Sequence, residues 1–237
     1  MAKRFDWRLF IILVFAFIGA TIIGTLSHEC GHYLMAKSFG YSSRISFASA
    51  YWNDPQKFEV LDTIYSQYSK EIVEGSTFPR KAEFEQLSRT YSNDSLWITA
   101  GGPLQTLLTG TIGLILLLVG KRSFQSRQQL TFRQWTLVLI TLFWLRQAAG
   151  LFLLVCWYVF TRQFFSKGDE IKIAVHLGLP SWSLIAVTGM IGFGVLYLVV
   201  FKFIPRQQRL TFILAGMTGG IAGYILWLHW LGPVLLP

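Results

Sequence analysis

Five consecutive residues, His28-Glu29-Cys30-Gly31-His32, bring together the side chains best suited to metal chemistry in this chain of 237 residues. They follow an apolar stretch from Leu9 to Leu26, which predicts a membrane-spanning helix. Residues i and i+4 share one face of a helix, so the imidazoles of His28 and His32 can bind one metal ion. Glu29 would stand next to water held by that ion and act as the catalytic general base. The spacing therefore predicts metal-dependent hydrolysis within a membrane.

The composition indicates what positions these residues. A mean hydropathy of +0.47, with 53% hydrophobic and 14% charged residues, is typical of polytopic membrane proteins. We predict an all-α membrane protein with about five transmembrane helices, at Leu9–Ala36, Leu96–Val119, Trp135–Phe160, Ser181–Phe203 and Leu210–Leu231. The whole chain forms a single membrane domain. Its parts are a first helix with the motif (1–40), an outer loop region (41–95), two core helices with their outer connection (96–180) and two additional helices (181–237).

The net charge of +9 reflects membrane topology, and we expect the lipid bilayer, not nucleic acid, as the partner of this basic chain. The cations group at alternate ends of the predicted spans, which by the positive-inside rule places the N-terminus in the cytoplasm and the motif toward the outer side of the cell membrane. The three basic clusters are Lys3, Arg4 and Arg8; Lys121, Arg122, Arg127 and Arg133; and Lys202, Arg206 and Arg209.

The polar region after the first span has its own elements. Ile45 and Phe47 alternate with polar neighbours, so Arg44–Trp52 predicts a short β-strand. Apolar residues then recur at helical spacing from Phe58 to Ile72, which predicts an amphipathic helix. This helix either lies in the membrane interface as a lid or packs on the following loop. A further short helix is expected at Arg80–Tyr91.

Arg146 lies near the middle of the third predicted span. A charge at that depth is costly, so its side chain should face a protein interior or a watery cavity. It is either a functional residue or a structural one that caps backbone carbonyls of a broken helix near Gly150.

The stretch from His28 to Gly40, HECGHYLMAKSFG, resembles the site-2 protease family of intramembrane zinc metalloproteases, whose pattern is H-E-x-G-H-x-x-x-A-x-x-x-G. The resemblance implies a membrane-embedded β-strand or hairpin after the motif helix, where substrate adds in an extended form; Ile45 and Phe47 are its candidate contacts here. Ala100 to Thr106, AGGPLQT, is similar to the family's A-G-P-L-x-N element, with Thr106 in place of Asn. Candidate substrate-binding residues are therefore Gly102, Pro103 and Thr106, together with Arg146.

The resemblance also implies a third zinc ligand. The family supplies an Asp from an L-D-G motif, which does not occur in this sequence. Asp169, just beyond the third span and on the predicted outer side, is the best candidate, followed by Glu170 and then His176. Asp169 could also serve as the N-cap of a helical run at Glu170–Leu177.

The function implied is that of an endopeptidase with one Zn²⁺ per chain, held by His28, His32 and Asp169, that cleaves membrane-anchored protein substrates. The alternative is a catalytically inactive, protease-like membrane protein that binds client helices. The altered Asn position and the absent L-D-G favour this alternative. An intact Glu29 argues against it, since a binding scaffold gains nothing from a general base.

Overall fold

A computed structural model of the protein describes residues 5–121, 124, 129–165 and 167–237. These residues are mostly helical, and they include one small two-stranded sheet. Four cations of the predicted basic clusters, Lys3, Arg4, Arg122 and Arg127, lie outside the described residues.

Five helices of the described chain are long and apolar enough to cross a membrane, by length and composition. They agree with the five predicted spans. Their bounds are Trp7–Ser38, Lys81–Val119, Phe132–Thr161, Ser183–Phe203 and Arg209–Leu235.

The first of these is α1, Trp7–Ser38, which begins at the N-cap Asp6, whose carboxylate accepts the backbone N–H of Leu9 at 2.9 Å. α1 carries the His-Glu-x-x-His motif close to its C-terminal end. Leu13 and Phe17, nearer its start, belong to the main apolar cluster of the protein. At a rise of about 1.5 Å per residue, His28 lies roughly 22 Å further along the helix than Leu13. The motif is thus held near one end of the molecule and the main core near the other.

The predicted strand at Arg44–Trp52 is a hairpin, because the segment contains a turn. β1, Ser42–Ile45, pairs antiparallel with β2, Ala50–Asn53, so that Ile45 lies opposite Ala50. The amphipathic helix follows as α2, Pro55–Glu74, with Ile64 fully buried.

The short helix expected at Arg80–Tyr91 is not separate. It forms the first turns of α3, Lys81–Val119, which is 39 residues long. The residues between Tyr91 and Leu96 include neither Gly nor Pro, so nothing in this segment ends the helix.

The third span is broken, but the break lies six to eight residues before Gly150. It consists of α4, Phe132–Thr141, a 3₁₀ turn at Leu142–Trp144, and α5, Leu145–Thr161. Arg146 therefore lies in the first turn of α5.

A short helix, α6, Asp169–His176, follows the third span, and its N-cap is Gly168. The expectation that Asp169 itself caps this helix is wrong, because the chain turns at Gly168 with φ of 130°, a conformation that favours glycine. Asp169 is the first helical residue, and its side chain is free to point elsewhere.

The last two spans complete the bundle. α7, Ser183–Leu198, packs against α5, and α8, Arg209–Ile225, packs against α1. A π-helical turn at Leu226–Leu231 and the short helix α9, Gly232–Leu235, bring the chain end back to the β-hairpin.

Candidate metal centre

The two motif histidines lie side by side in the protein interior. His28 is fully buried and His32 is 8% exposed, and their Nε2 atoms are 3.2 Å apart. The rings are nearly perpendicular, at 86°. Both Nε2 atoms face the same point between α1, α3 and α6.

The Nδ1 atom of each ring has a partner that fixes its proton. Thr106 donates its hydroxyl hydrogen to the Gly102 carbonyl at 3.1 Å, so its oxygen accepts from His28 Nδ1 at 3.0 Å. His32 Nδ1 donates to the Ile98 carbonyl at 2.8 Å, since a carbonyl can only accept. The Gly102 amide also lies 3.3 Å from His32 Nδ1, but the shorter carbonyl contact requires the proton there. In a neutral ring with its proton on Nδ1, Nε2 carries the lone pair, as a metal-binding imidazole does.

Asp169 provides an oxygen at the same point. Its Oδ2 lies 3.0 Å from His28 Nε2 and 3.3 Å from His32 Nε2. Bond lengths of 2.0–2.1 Å around a tetrahedral zinc ion separate the ligand atoms by about 3.3 Å. The three separations are close to that value, so the spacing of these three atoms fits a zinc ion.

The charge of Asp169 also suits a cation. Burial alone would raise the pKa of this carboxyl group, but the two imidazoles facing it outweigh burial and hold its pKa well below the usual range. The side chain is therefore ionised. The other two candidates lie elsewhere: neither Glu170 nor His176 has a described contact with the imidazoles, and His176 is exposed on a groove that Ser95 and Thr99 also line.

Glu29 lies beside this cluster. It is 7% exposed, and its carboxylate can be grouped with the nitrogens of His28 and His32 within 4.8 Å. Asp169 Oδ2, at 3.0 and 3.3 Å from the two Nε2 atoms, is therefore a candidate third ligand beside Glu29. The backbone amide of Ala50, at the start of β2, lies near the Glu29 carboxylate. The hairpin thus borders the candidate base.

Arg146 reaches the cluster from the third span. Its Nη2 lies 3.0 Å from His28 Nε2, one of the two nitrogens that face the metal position. The contact joins an exposed side chain to the buried imidazole of His28.

Glycines allow the helices to come this close. A Cβ on Gly31 would lie 2.8 Å from Gln105 Cβ, and one on Gly101 would lie 2.9 Å from the Gly31 carbonyl carbon. A Cβ on Gly102 would lie 2.6 Å from His28 Nε2, within the ligand cluster itself. α1 and α3 therefore need glycine where the site is built.

The candidate substrate-binding residues of α3 have a different setting from the one expected. Gly102, Pro103 and Thr106 are buried in α3. Gly102 and Thr106 form the support of the two imidazoles, not an open surface for a peptide. The Thr106 hydroxyl is thus engaged with His28 and the Gly102 carbonyl.

The hairpin residues Ile45 and Phe47 are half-buried. The Phe47 N–H donates to the Leu236 carbonyl at 2.9 Å, and its carbonyl accepts from Trp227 Nε1 at 2.8 Å. The backbone of Phe47 is therefore not free to pair with an added strand, contrary to its expected role as a main-chain contact.

Sequence reasoning missed Ile98 and Ala50, which act through backbone groups. A carbonyl or amide leaves no signal in residue type, so only the fold reveals these partners.

Comparison with known proteins gives no matching family model, and no significant match among curated proteins or solved structures.

Proposed function

We propose that this protein is an intramembrane zinc-dependent endopeptidase of the site-2 protease type, which hydrolyses peptide bonds in or near the transmembrane segments of membrane-anchored proteins. The observation that carries the proposal is the convergence of His28 Nε2, His32 Nε2 and Asp169 Oδ2 within 3.0–3.3 Å of one another. Three such electron-pair donors repel one another unless a cation or a shared proton lies among them. Glu29, beside the cluster, adds the group that a hydrolase needs.

Zinc suits this set of two imidazoles and one carboxylate. When bound, the ion would supply Lewis acidity, which makes water more acidic and polarises a peptide carbonyl. His28, His32 and Asp169 would hold it. Thr106 and Ile98 keep the imidazoles in the tautomer that this binding requires.

Glu29 would move the proton. As the water oxygen forms a bond to the peptide carbon, one water proton passes to the Glu29 carboxylate. The C–N bond then breaks, and Glu29 delivers the proton to the leaving nitrogen. The Ala50 amide, near this carboxylate, would help to orient it during both transfers.

The fold limits the form of the substrate. A helical peptide has its carbonyls engaged in hydrogen bonds, so it must unwind before a buried site can reach them. β1 and β2 form an isolated pair among the described residues, and each has an outer edge that can accept an extended segment. Helix-weakening residues in a substrate should therefore promote its cleavage.

The test compares wild type with Glu29→Gln in membranes that contain candidate substrates. We expect the variant to bind one zinc ion per chain like wild type and to lose cleavage by at least about 10²-fold, because the amide cannot accept the proton. Glu59→Gln, an exposed change on α2, is the matched control and should cleave normally.

Fragments are measured by mass spectrometry of the membrane proteome and zinc by elemental analysis. The same fragments from wild type and Glu29→Gln would contradict the proposal, as would wild-type protein that binds no zinc. Client binding without any wild-type-specific fragment would favour the non-catalytic alternative.

A further inference from the structure

Arg146 brings a permanent positive charge to the site where a zinc ion is proposed. Its Nη2 lies 3.0 Å from His28 Nε2. Since a zinc–nitrogen bond is about 2.0–2.1 Å long, this guanidinium nitrogen lies within roughly 5 Å of the proposed metal position. An arginine cannot lose its charge in a protein and cannot bind a metal ion.

Two cations at this distance repel each other unless an anion lies between them. The carboxylates of Glu29 and Asp169 are the acids placed at the cluster. Together with a divalent ion and Arg146, they leave one net positive charge, which an additional anion would balance. The site is thus built for a negative charge that arrives with the substrate or forms during its reaction.

A structural role does not account for this residue. Among the described residues, Arg146 has no carboxylate within ion-pair distance and donates to no backbone carbonyl; its hydrogen-bond partner is His28. Its position in the first turn of α5, directly after the 3₁₀ turn at Leu142–Trp144, lets an exposed side chain reach inward to the cluster.

We propose that Arg146 is a catalytic residue that donates a hydrogen bond to the carbonyl oxygen of the cleaved peptide and stabilises the negative charge this oxygen gains. This inference rests on the proposed function. The roughly 5 Å between the guanidinium nitrogen and the proposed metal position favours the carbonyl oxygen of the cleaved bond as the partner of Arg146. A C-terminal carboxylate of the substrate would lie at least one residue, about 3.5 Å, further along the peptide.

The step balances in charge and atoms. When water oxygen bonds to the peptide carbon, the π electrons of the carbonyl move to its oxygen, which Arg146 then faces. When the C–N bond breaks, these electrons re-form the carbonyl, and Glu29 supplies the proton to the leaving amine. Arg146 keeps its own protons throughout and contributes only electrostatic stabilisation.

The proposal also predicts an effect on the metal. Arg146 repels a cation and donates to the same nitrogen lone pair that would bind zinc. Its removal should therefore tighten zinc binding while it slows the reaction. If Arg146 merely supported the fold, its replacement would lower both the zinc affinity and the reaction rate.

The experiment uses Arg146→Gln and Arg146→Lys in the full-length protein, with Arg162→Gln at the far end of α5 as the matched control. We expect kcat of Arg146→Gln to fall by about 10²–10³-fold with little change in KM. Zinc affinity, measured by chelator competition without substrate, should rise severalfold. Arg146→Lys, which keeps the charge, should recover at least tenfold of the lost kcat, and Arg162→Gln should behave as wild type.

The affinity for a phosphinic peptide gives a second measurement, which does not depend on turnover. The tetrahedral phosphorus of this inhibitor carries a negative oxygen, as the peptide carbon does after water has added. Arg146→Gln should weaken its binding far more than it raises KM for the substrate. An unchanged kcat would overturn the role of Arg146, as would a joint loss of kcat and zinc affinity, or a lysine variant with no recovery. If Glu29→Gln is inactive while Arg146→Gln is not, only this inference fails; if Glu29→Gln cleaves normally, the proposed function itself fails.

Discussion

Three local features together bring the side chain of Asp169 to the two imidazoles. Gly168 turns the chain, α6 begins at Asp169, and Oδ2 reaches 3.0 Å from His28 Nε2. Glu170 is also in the first turn of α6, but it is rotated by about 100° around the helix axis. The two neighbouring carboxylates therefore have different surroundings, which makes them a matched pair for an experiment.

We expect Asp169→Asn to weaken zinc binding by more than the roughly 10–100-fold that loss of an outer partner causes, because a neutral amide replaces a charged ligand. Glu170→Gln should leave zinc binding unchanged. Chelator competition on the purified proteins measures both. If Glu170→Gln weakened zinc binding and Asp169→Asn left it unchanged, Glu170 would be the ligand instead.

At this scale the sequence predicts local spacing well and distant partners poorly. His28, Glu29 and His32 follow from one helical turn. Asp169 is 141 residues away from His28, so its place depends on how the third span and α6 fold back. The sequence offered Asp169, Glu170 and His176 on chemical grounds, and only the fold distinguishes their positions.

α1, which carries the two histidines, crosses α3, which carries their partners Thr106 and Ile98, with the two backbones in contact. At Gly31 and Gly101 there is no room for a Cβ, since one on Gly31 would meet the Gly101 carbonyl and lie 2.8 Å from Gln105 Cβ. Gly24, seven residues earlier on α1, has nothing within 4 Å of an added Cβ. The same substitution therefore tests a crowded and an open position of one helix.

Gly31→Ala should push α1 away from α3 and lower stability by about 1–3 kcal/mol, the usual cost of overpacking. Zinc affinity should fall with it, because His28 and His32 lie on α1 while their partners Thr106 and Ile98 lie on α3. Gly24→Ala should be neutral or slightly stabilising, as alanine favours helix. Thermal unfolding in detergent and zinc titration measure the two effects; equal behaviour of both variants would contradict the tight crossing.

The helix bounds differ from those predicted where contacts between distant segments determine the local backbone. The break at Leu142–Trp144 contains neither Gly nor Pro, so its own sequence does not mark it. It lies against α3, where an added Cβ on Gly110 would meet Trp144 Cδ1 at 2.7 Å and one on Gly113 would meet the Thr141 amide at 2.6 Å. The contact between the hairpin and the C-terminal segment is also non-local, because Trp227, which donates to the Phe47 carbonyl, is 180 residues away from it. Long apolar runs, by contrast, identified all five long helices.

In the whole molecule, an odd number of candidate spans places the two chain ends on opposite sides of the bundle. The Leu236–Phe47 hydrogen bond agrees with this, since it brings the C-terminal end to the hairpin and the metal ligands. The described cations Lys121, Arg133 and Lys202 lie in or next to the connections at the other end. The positive-inside rule then predicts that this basic end is cytoplasmic and that the metal centre is near the outer face.

Single cysteines test this orientation in a background without Cys30 and Cys156, the two native thiols. Ser76, exposed between α2 and α3, is on the side of the metal centre, and Gln207, exposed before α8, is on the opposite side. In intact cells, a membrane-impermeant maleimide should label Ser76→Cys, whereas Gln207→Cys should react only after the membrane is permeabilised. The cysteine-free protein gives the background. The opposite labelling pattern would place the metal centre on the cytoplasmic side, and cleavage would then release fragments into the cytoplasm.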